Sequence, residues 1–587
     1  MDSRNLHRER VLEMGVAALA LLAMLLLLPG SSTLPLLDRD EPRFSRATVE
    51  MMERGDWTVP FFNGQYRFDK PILTYWLMRM GYMALGVNEL GARLHSILTT
   101  TFLAIWLARR AARWWDVSAG MATGLTFLYT LQILIHGRAA VADMPMVLCV
   151  AVAHGALWDL LSESSSSWPT SWWTLYLALG FGFLAKGPVA WMVPAVSLLL
   201  WRWVFLRRPL PWCRLRILPG IAVTLAVIAP WGLWALWRTE GQFWKIGMGY
   251  HVVRRGLEAF DGRRFIPFFY LPTALFSYFP WIAWLGAVWA VVRRDSSQLT
   301  TFLLSWLAAP YIIFSFYSTQ LPHYILPGMP AFFLLLGRGA TLSSPVQLSE
   351  LPRWGRWWRA AIWGLGVVLG VAGGLFVALA PHDPWLAPLR SLGWAVLAVT
   401  AGLLWASRMY PRPDSVAMTA STLLLALGMS LAGRTLREHA AGPKLRSLLG
   451  PLPAHVECLW HRYTEPSVVF YTSHLWQEPG SVDALRVAMR KPGPRVVLTL
   501  ADRTDLDDLI RARMAQWLGR PTRNPTSDYR AEVEKLKRPG YRLHELKVFN
   551  VATGSWCTLA VFENLSDSTA PQPGEPEPVS PSGTAPR

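Results

Sequence analysis

Apolar residues run through this chain in long blocks, and polar residues are confined to short stretches between them. A bilayer crossing takes about 20 residues. On that measure the blocks predict about thirteen helices, at 11–29, 90–110, 117–136, 140–160, 171–186, 188–205, 215–236, 271–292, 299–317, 322–338, 361–380, 388–407 and 415–433. Only Lys186-Gly187-Pro188 separates the fifth from the sixth, and Pro188 sets a boundary there because the residue before a proline avoids the helical region. The first block follows the basic RNLHRER. It is longer than the apolar core of a signal peptide and has no small-x-small cleavage site after it, so it reads as a retained span. Residues 43–54 and 71–86 are too short or too polar to span. The first mixes Phe44, Val49, Met51 and Met52 with Arg43, Arg46, Glu50 and Glu53, the pattern of a helix lying in the interface plane, and Gly55-Asp56 ends it. Residues 73–85, rich in aromatics, read as a second interfacial or re-entrant helix.

Beyond residue 431 the pattern changes. Residues 434–565 have ordinary charge and short alternating runs at 468–471, 495–500 and 557–562, with a helical pattern at 505–518 for which Thr504 is the N-cap. The expected fold is an all-α polytopic membrane domain over 1–433 followed by a small α/β domain over 434–565. The tail 566–587, rich in Pro, Ser, Gly and Thr, is expected to be disordered.

Composition supports the membrane reading: 52% of the 587 residues are hydrophobic and 16% charged, where soluble domains carry about a quarter. The net charge of +18 would suggest nucleic acid in a soluble protein. Here the arginines sit in short loops, and with a cytoplasmic N-terminus almost every basic loop falls on the cytoplasmic side, so no nucleic acid is needed to explain them. An odd number of spans places 434–565 on the other face. One loop on that face, 237–270, breaks the rule with Arg238, Lys245, Arg254, Arg255, Arg263 and Arg264. Either a long loop escapes the rule, or an anionic phosphate or headgroup needs those cations. The four cysteines have no metal-type spacing. Cys458 and Cys557 fall near strands, where an oxidising compartment permits a disulfide without specifying one.

The polar residues that this topology gathers at the outer mouth of the helices are Asp40, Glu41, Arg43, Asp69, Lys70, His136, Arg138, Asp143, Lys186, Arg254, His323 and Tyr324. Ionisable groups in the end turns of spans are costly and usually functional. Plainer readings stand beside this one: Asp143 as a helix cap, Lys70 as a snorkelling side chain, His323 and Tyr324 as interfacial anchors. Carboxylates beside cations at a lipid–water boundary suit transfer from a lipid-phosphate donor. The departing phosphate regains a negative charge that Lys and Arg stabilise, and a carboxylate orients or deprotonates the acceptor hydroxyl. Asp40 is the natural candidate for that base. A transporter or flippase of an anionic lipid-linked sugar would also place cations beside an apolar groove. Such proteins usually show internal repeats and helices broken at mid-membrane, and the sequence shows no repeat.

The motifs DEPRFS, RGDWTVPFFNG, FDKPILTYW, GRAAVADMP, LAKGP and LPHYILP, in that order within about residues 10–340, resemble the aminoarabinose-transferase and protein-mannosyltransferase-like superfamily. These are membrane glycosyltransferases of the type C fold that use polyprenyl-phosphate sugars. The resemblance implies Asp40 as the principal catalytic carboxylate, Asp143 as a second acid with Glu41 beside Asp40, and Arg43, Lys70, Arg254 and Tyr324 around the lipid phosphate, with Asp69 and Lys186 in the same substrate site. Arg254 comes from matching YHVVRR to the family's His-x-x-Arg stretch. Asp69 stands where the aminoarabinose enzymes have Glu, Phe44 where they have Tyr, and Gln320 where they have Lys; these departures bear on the sugar and the acceptor. The implied activity is an inverting hexosyl or pentosyl transfer in the bacterial inner membrane, with the C-terminal domain periplasmic. The implied partners are a polyprenyl-phosphate-linked sugar donor, membrane lipids and a lipid A-type glycolipid, another glycan or a protein as acceptor. A divalent metal ion near Asp69 is also admitted by the resemblance, although the sequence supplies no convincing ligand set.

Overall fold

Every apolar block forms helix, but the blocks are not thirteen straight spans. The computed structural model describes residues 3–162, 168–206, 210–254, 265–341, 348–380, 384–410, 414–517 and 526–565. Within these, nine helices are long and apolar enough to cross a bilayer, or ten if one sharply bent pair counts as a span, so this is a multi-pass membrane protein. Of the four missing spans, 171–186 is the continuous helix Trp168–Lys186, which is less apolar than the nine; the other three are interrupted. The block 117–136 splits into α5 (Val117–Leu128) and α6 (Leu131–His136). The block 271–292 splits into Tyr270–Ser277 and Trp281–Arg294, bent by 108°. The two breaks satisfy each other: Leu131 N donates to Phe279 O at 2.9 Å, and Trp281 Nε1 donates to Tyr129 O at 2.9 Å. Helix breaks are tolerated in apolar surroundings when neighbours take up the freed backbone groups. The block 322–338 begins as a 3-10 turn, Pro322–Gly328, before its α-helix, Met329–Gly339.

Between α1 (Ser3–Leu27) and α4 (Glu89–Trp114) lie α2 (Asp40–Glu53) and α3 (Leu73–Leu85). Helix α2 packs on α3, and α3 on α4. Phe44, Ala47, Thr48 and Met51 of α2 are buried. After α2, strands β1 (Phe61–Phe62) and β2 (Gln65–Tyr66) form a two-stranded hairpin. Its turn, Asn63-Gly64, has φ of 55° and 78°, the pair of positive angles that a primed hairpin turn requires. The buried Glu50 carboxylate accepts from both turn amides, at 2.8 and 3.0 Å, and so fixes the hairpin on α2.

The chain divides into two compact units at His439/Ala440. The second holds a mixed sheet ordered β4 (Trp476–Gln477), β3 (Glu457–His461), β5 (Arg495–Asp505), β8 (Ser555–Asn564), β7 (Arg542–Asn550), with β6 (Thr526–Asp528) also on β5. Strands β3, β4 and β5 are parallel; β8 runs antiparallel to β5 and β7. The run Val468–Tyr471, expected as a strand, is helix Pro466–Thr472. A short apolar run cannot be told from a buried helix by periodicity alone, and Pro466 sits at the helix start, where proline is tolerated. Thr504 is the other correction: it lies within β5, its hydroxyl 3.0 Å from that of Thr526, rather than capping the helix Leu506–Trp517. The four cysteines are free, and β5 lies between the strands that carry Cys458 and Cys557. The tail 566–587 lies outside the described residues.

Candidate active site

Two helix ends face one another at the centre of the site. Asp143 is the first residue of α7 (Asp143–Leu161), and Lys186 is the last of α8 (Trp168–Lys186), which packs along it. An acid at a helix N-terminus and a base at a C-terminus both complement the helix dipole. Gly187, at φ +77°, ends α8, its amide bonded to Phe183 O at 2.7 Å, and Pro188 then opens α9 (Val189–Leu200). The sequence LAKGP thus halts one helix, leaves a lysine at its tip and starts the next. The Lys186 ammonium meets the Asp143 carboxylate at 2.5 Å. His323 Nε2 is 4.0 Å from the same carboxylate oxygen, and the ring of His136 lies 5.0 Å from that of His323. The ring of Tyr324 is 5.9 Å from Lys186 Nζ.

A second group gathers on α2 and the segment between β2 and α3. Asp40, the first residue of α2, is exposed. Arg43, one turn on, is held below its usual pKa first by burial and then by the like charge of Arg67, while Asp40 and Asp69 oppose both. Arg67 was not singled out from the sequence. It pairs with Asp69 at 2.8 Å, donates to the Tyr75 hydroxyl at 3.0 Å and lies 5.1 Å from the Phe44 ring centre. Burial alone would lower the pKa of this guanidinium, but Tyr75 and Asp69 together raise it. The YRFDKP stretch carried the signal, since it sets Arg67 two residues from Asp69 beside Lys70. Lys70 joins the two groups: its ammonium donates to the Asp69 carbonyl at 3.1 Å, and its side chain lines two cavities together with Lys186.

The larger of the two, about 350 Å³, is lined mostly by apolar residues, including Phe183, Leu225, Ile228 and Leu236, and its charged lining residues are Asp69, Lys70 and Lys186. The smaller, about 80 Å³, is lined by Lys70, Lys186, His323 and Tyr324 among others.

Three of the proposed residues sit elsewhere or differently. Glu41 is buried and saturated: it accepts from Arg93 Nε and Nη2 at 2.9 and 2.8 Å, from Leu37 N at 2.8 Å and from Ala140 N at 2.7 Å. With all four lone-pair sites in use it is a clamp, not a free carboxylate. Arg138 spends its guanidinium on the carbonyls of Leu26, Pro29 and Leu134 at 2.5–2.9 Å, tying down the end of α1. Arg254 is exposed, lies over the Tyr250 ring at 5.3 Å, and is outside both cavity linings. Of the other basic residues in its loop, Arg238 is paired with Asp56 at 2.8 Å. Arg255, Arg263 and Arg264 lie outside the described residues.

One oxygen of the Asp69 carboxylate is paired with Arg67 at 2.8 Å, and Asp69 is in no group of three potential metal ligands among the described residues. The cluster of three potential ligands among the described residues is instead His136, Asp143 and His323.

Residues 69–234 match the family profile of dolichyl-phosphate-mannose-protein mannosyltransferases. The undecaprenyl phosphate-alpha-4-amino-4-deoxy-L-arabinose arabinosyl transferase of Pseudomonas aeruginosa (strain LESB58) is 34% identical over 312 residues, 51% of this chain and 54% of that protein. The enzyme of the same name from Erwinia tasmaniensis is 29% identical over 388 residues, 63% and 66% of the two chains. The chain therefore spans about half the length of the first curated relatives it matches. The crystal structure of ArnT from Cupriavidus metallidurans bound to undecaprenyl phosphate superposes with a TM-score of 0.73 at 20% identity, covering 95% of this chain and 98% of that one. By sequence over about half its length, and by fold over nearly all of it, the chain is similar to the aminoarabinose transferases of the type C glycosyltransferase fold.

Proposed function

We propose that this protein is a membrane glycosyltransferase that moves a sugar from a polyprenyl-phosphate donor to an envelope acceptor at the outer face of the bacterial inner membrane. The observation that carries this reading is an apolar cavity whose charged lining is two lysines and an aspartate, in a chain whose helix α2 begins with an exposed acid. The prenyl chain would lie against the Leu225–Leu236 wall, and its phosphate would reach Lys70, Lys186 and Arg43. Asp40 would take the proton from the acceptor oxygen as that oxygen attacks the anomeric carbon. The bond from that carbon to the phosphate oxygen breaks, its electron pair stays on the phosphate, and the cations hold the charge that develops. Attack opposite the departing phosphate inverts the anomeric centre.

Glu41, saturated by Arg93 and two amides, would position Asp40 without touching substrate. The similarity to aminoarabinose transferases favours a pentosyl donor and a lipid A-type acceptor over a protein. The orientation that goes with it has the N-terminus in the cytoplasm, residues 440–565 in the periplasm and α2 and α3 at the interface.

Asp40→Asn in purified membranes supplied with polyprenyl-phosphate sugar tests the reading. Transfer should fall about 10²–10⁴-fold while donor binding persists. Unchanged transfer rejects Asp40 as the base, and wild-type protein that binds donor but releases and transfers no sugar to any envelope fraction rejects the enzyme.

A further inference from the structure

Asp143 and the two histidines beside it form a cluster that the transfer reaction does not call for. The ligand atoms of His136, Asp143 and His323 all lie within 4.8 Å of one another. They come from separate elements: the end of α6, the start of α7 and the 3-10 turn Pro322–Gly328. Two imidazoles and one carboxylate, with a fourth position open, form a known ligand set for catalytic zinc. A tetrahedral zinc with bonds of about 2.0–2.2 Å holds its ligand atoms roughly 3.5 Å apart, so the three need close by only about an ångström.

The surroundings are also those of a metal site. Ligating histidines fix their second nitrogen by a hydrogen bond, and the Gln132 side-chain amide lies 3.0 Å from Nδ1 of His136. With the amide turned so that its oxygen accepts from Nδ1–H, His136 presents Nε2. Gln132 is held in turn by Ser277 Oγ at 3.4 Å, across the paired helix breaks. His323 also lines the small cavity with Lys70, Lys186 and Tyr324.

We propose that His136, Asp143 and His323 bind a zinc-type divalent cation, with its open position toward that cavity, and that Lys186 and the metal compete for Asp143. Lys186 now holds one Asp143 oxygen. An anion entering the cavity would draw the ammonium away and leave the carboxylate to the metal. Binding is measured without turnover, so failure here leaves the transferase reading intact.

The test uses the full-length protein in detergent, stripped with chelator and then titrated with Zn2+ by calorimetry and with Co2+ by its visible absorption. Wild type should take up one ion per chain with the absorption of a tetrahedral site. His136→Ala and His323→Ala should each lose that ion while eluting as folded protein. Lys186→Met, which removes the competing charge, should tighten binding by about tenfold or more. If neither wild type nor Lys186→Met binds a stoichiometric ion, the site does not exist. Binding that survives both histidine substitutions places the metal elsewhere and equally overturns the proposal. Should a histidine variant fail to fold, Asp143→Asn stands in: it must lose the ion, and an unchanged titration refutes the site.

Discussion

Glu41 and Arg93 decide how the first catalytic candidate is held. The pair is almost fully buried, with side-chain exposures of 6% and 1%. Arg93 also donates to the carbonyls of Ser31, Leu34 and Pro35, so one guanidinium closes the connection from α1 to α2. Removing one partner of a buried pair strands the other charge, at a cost of about 3–5 kcal/mol. Glu41→Gln should therefore lower the unfolding temperature of the detergent-solubilised protein by several degrees and weaken transfer with it. An unchanged melting temperature would mean that the clamp does not bear on the fold. This role was not legible in the sequence. An acid beside Asp40 looks like a second catalytic group until its partner is found, and Arg93 stands 52 residues away. The same holds for Arg138, whose carbonyl partners come mostly from the end of α1. By contrast, Asp143 and Lys186 could be placed together beforehand, because each sits at a helix end marked by local residues, Pro145 just inside one and Gly187-Pro188 just past the other.

At the scale of the element, Gly187 shows how a helix end sets a side chain. A Cβ there would meet nothing within 4 Å, yet its φ is +77°. The cost of Gly187→Ala is therefore backbone conformation alone, about 1–2 kcal/mol. The expected result is a modest loss of stability with a larger loss of transfer, as the tip of α8 turns Lys186 off Asp143. Equal losses in a thermal melt and a transfer assay would count against that positioning.

In the second unit, the helix Arg530–Leu536 is latched by Glu532 to Arg462 at 2.6 Å. The hydrogen bond from Arg462 holds the Glu532 carboxyl below its usual pKa. A depressed folded-state pKa means stabilisation that is present above the unfolded value of about 4.3 and is lost as pH falls below it. Both groups are partly exposed, so the effect is small. Hydrogen exchange over 530–536, compared between wild type and Glu532→Gln at matched pH, should differ near neutrality and converge in acid. A difference that persists unchanged in acid refutes the latch.

Elements were also where the sequence misled on the spans. Apolar pattern reports burial in lipid or protein but not direction, so the breaks at Tyr129–Thr130 and Ser277–Trp281, which bond to each other across the fold, do not interrupt the apolar blocks. Broken helices are a feature that carriers also show; in the sequence it is the lack of repeats that speaks against a carrier, and the breaks themselves are present.

On the scale of the whole molecule, the fold brings an apolar wall and charged side chains into one cavity lining. The wall comes largely from the helix Ile217–Arg238, and the charges from Lys70 and Lys186, residues more than a hundred positions apart. That meeting is what the fold adds to the motifs, and on the proposed function it would separate lipid-chain recognition from chemistry. Gly232 lies on the wall, and a Cβ there has only Ile228 Cγ2 within 4 Å, at 3.5 Å, so a larger side chain can enter the cavity without disturbing backbone. Gly232→Phe should displace two or more methylenes of a bound prenyl chain, at about 0.8 kcal/mol each. KM for a long-chain polyprenyl-phosphate sugar should then rise roughly tenfold or more, with kcat little changed, because the charged groups are untouched. A donor with a truncated prenyl chain should show a much smaller rise. If long and short donors respond alike, the cavity does not hold the lipid, and the donor must reach the lysines by another path.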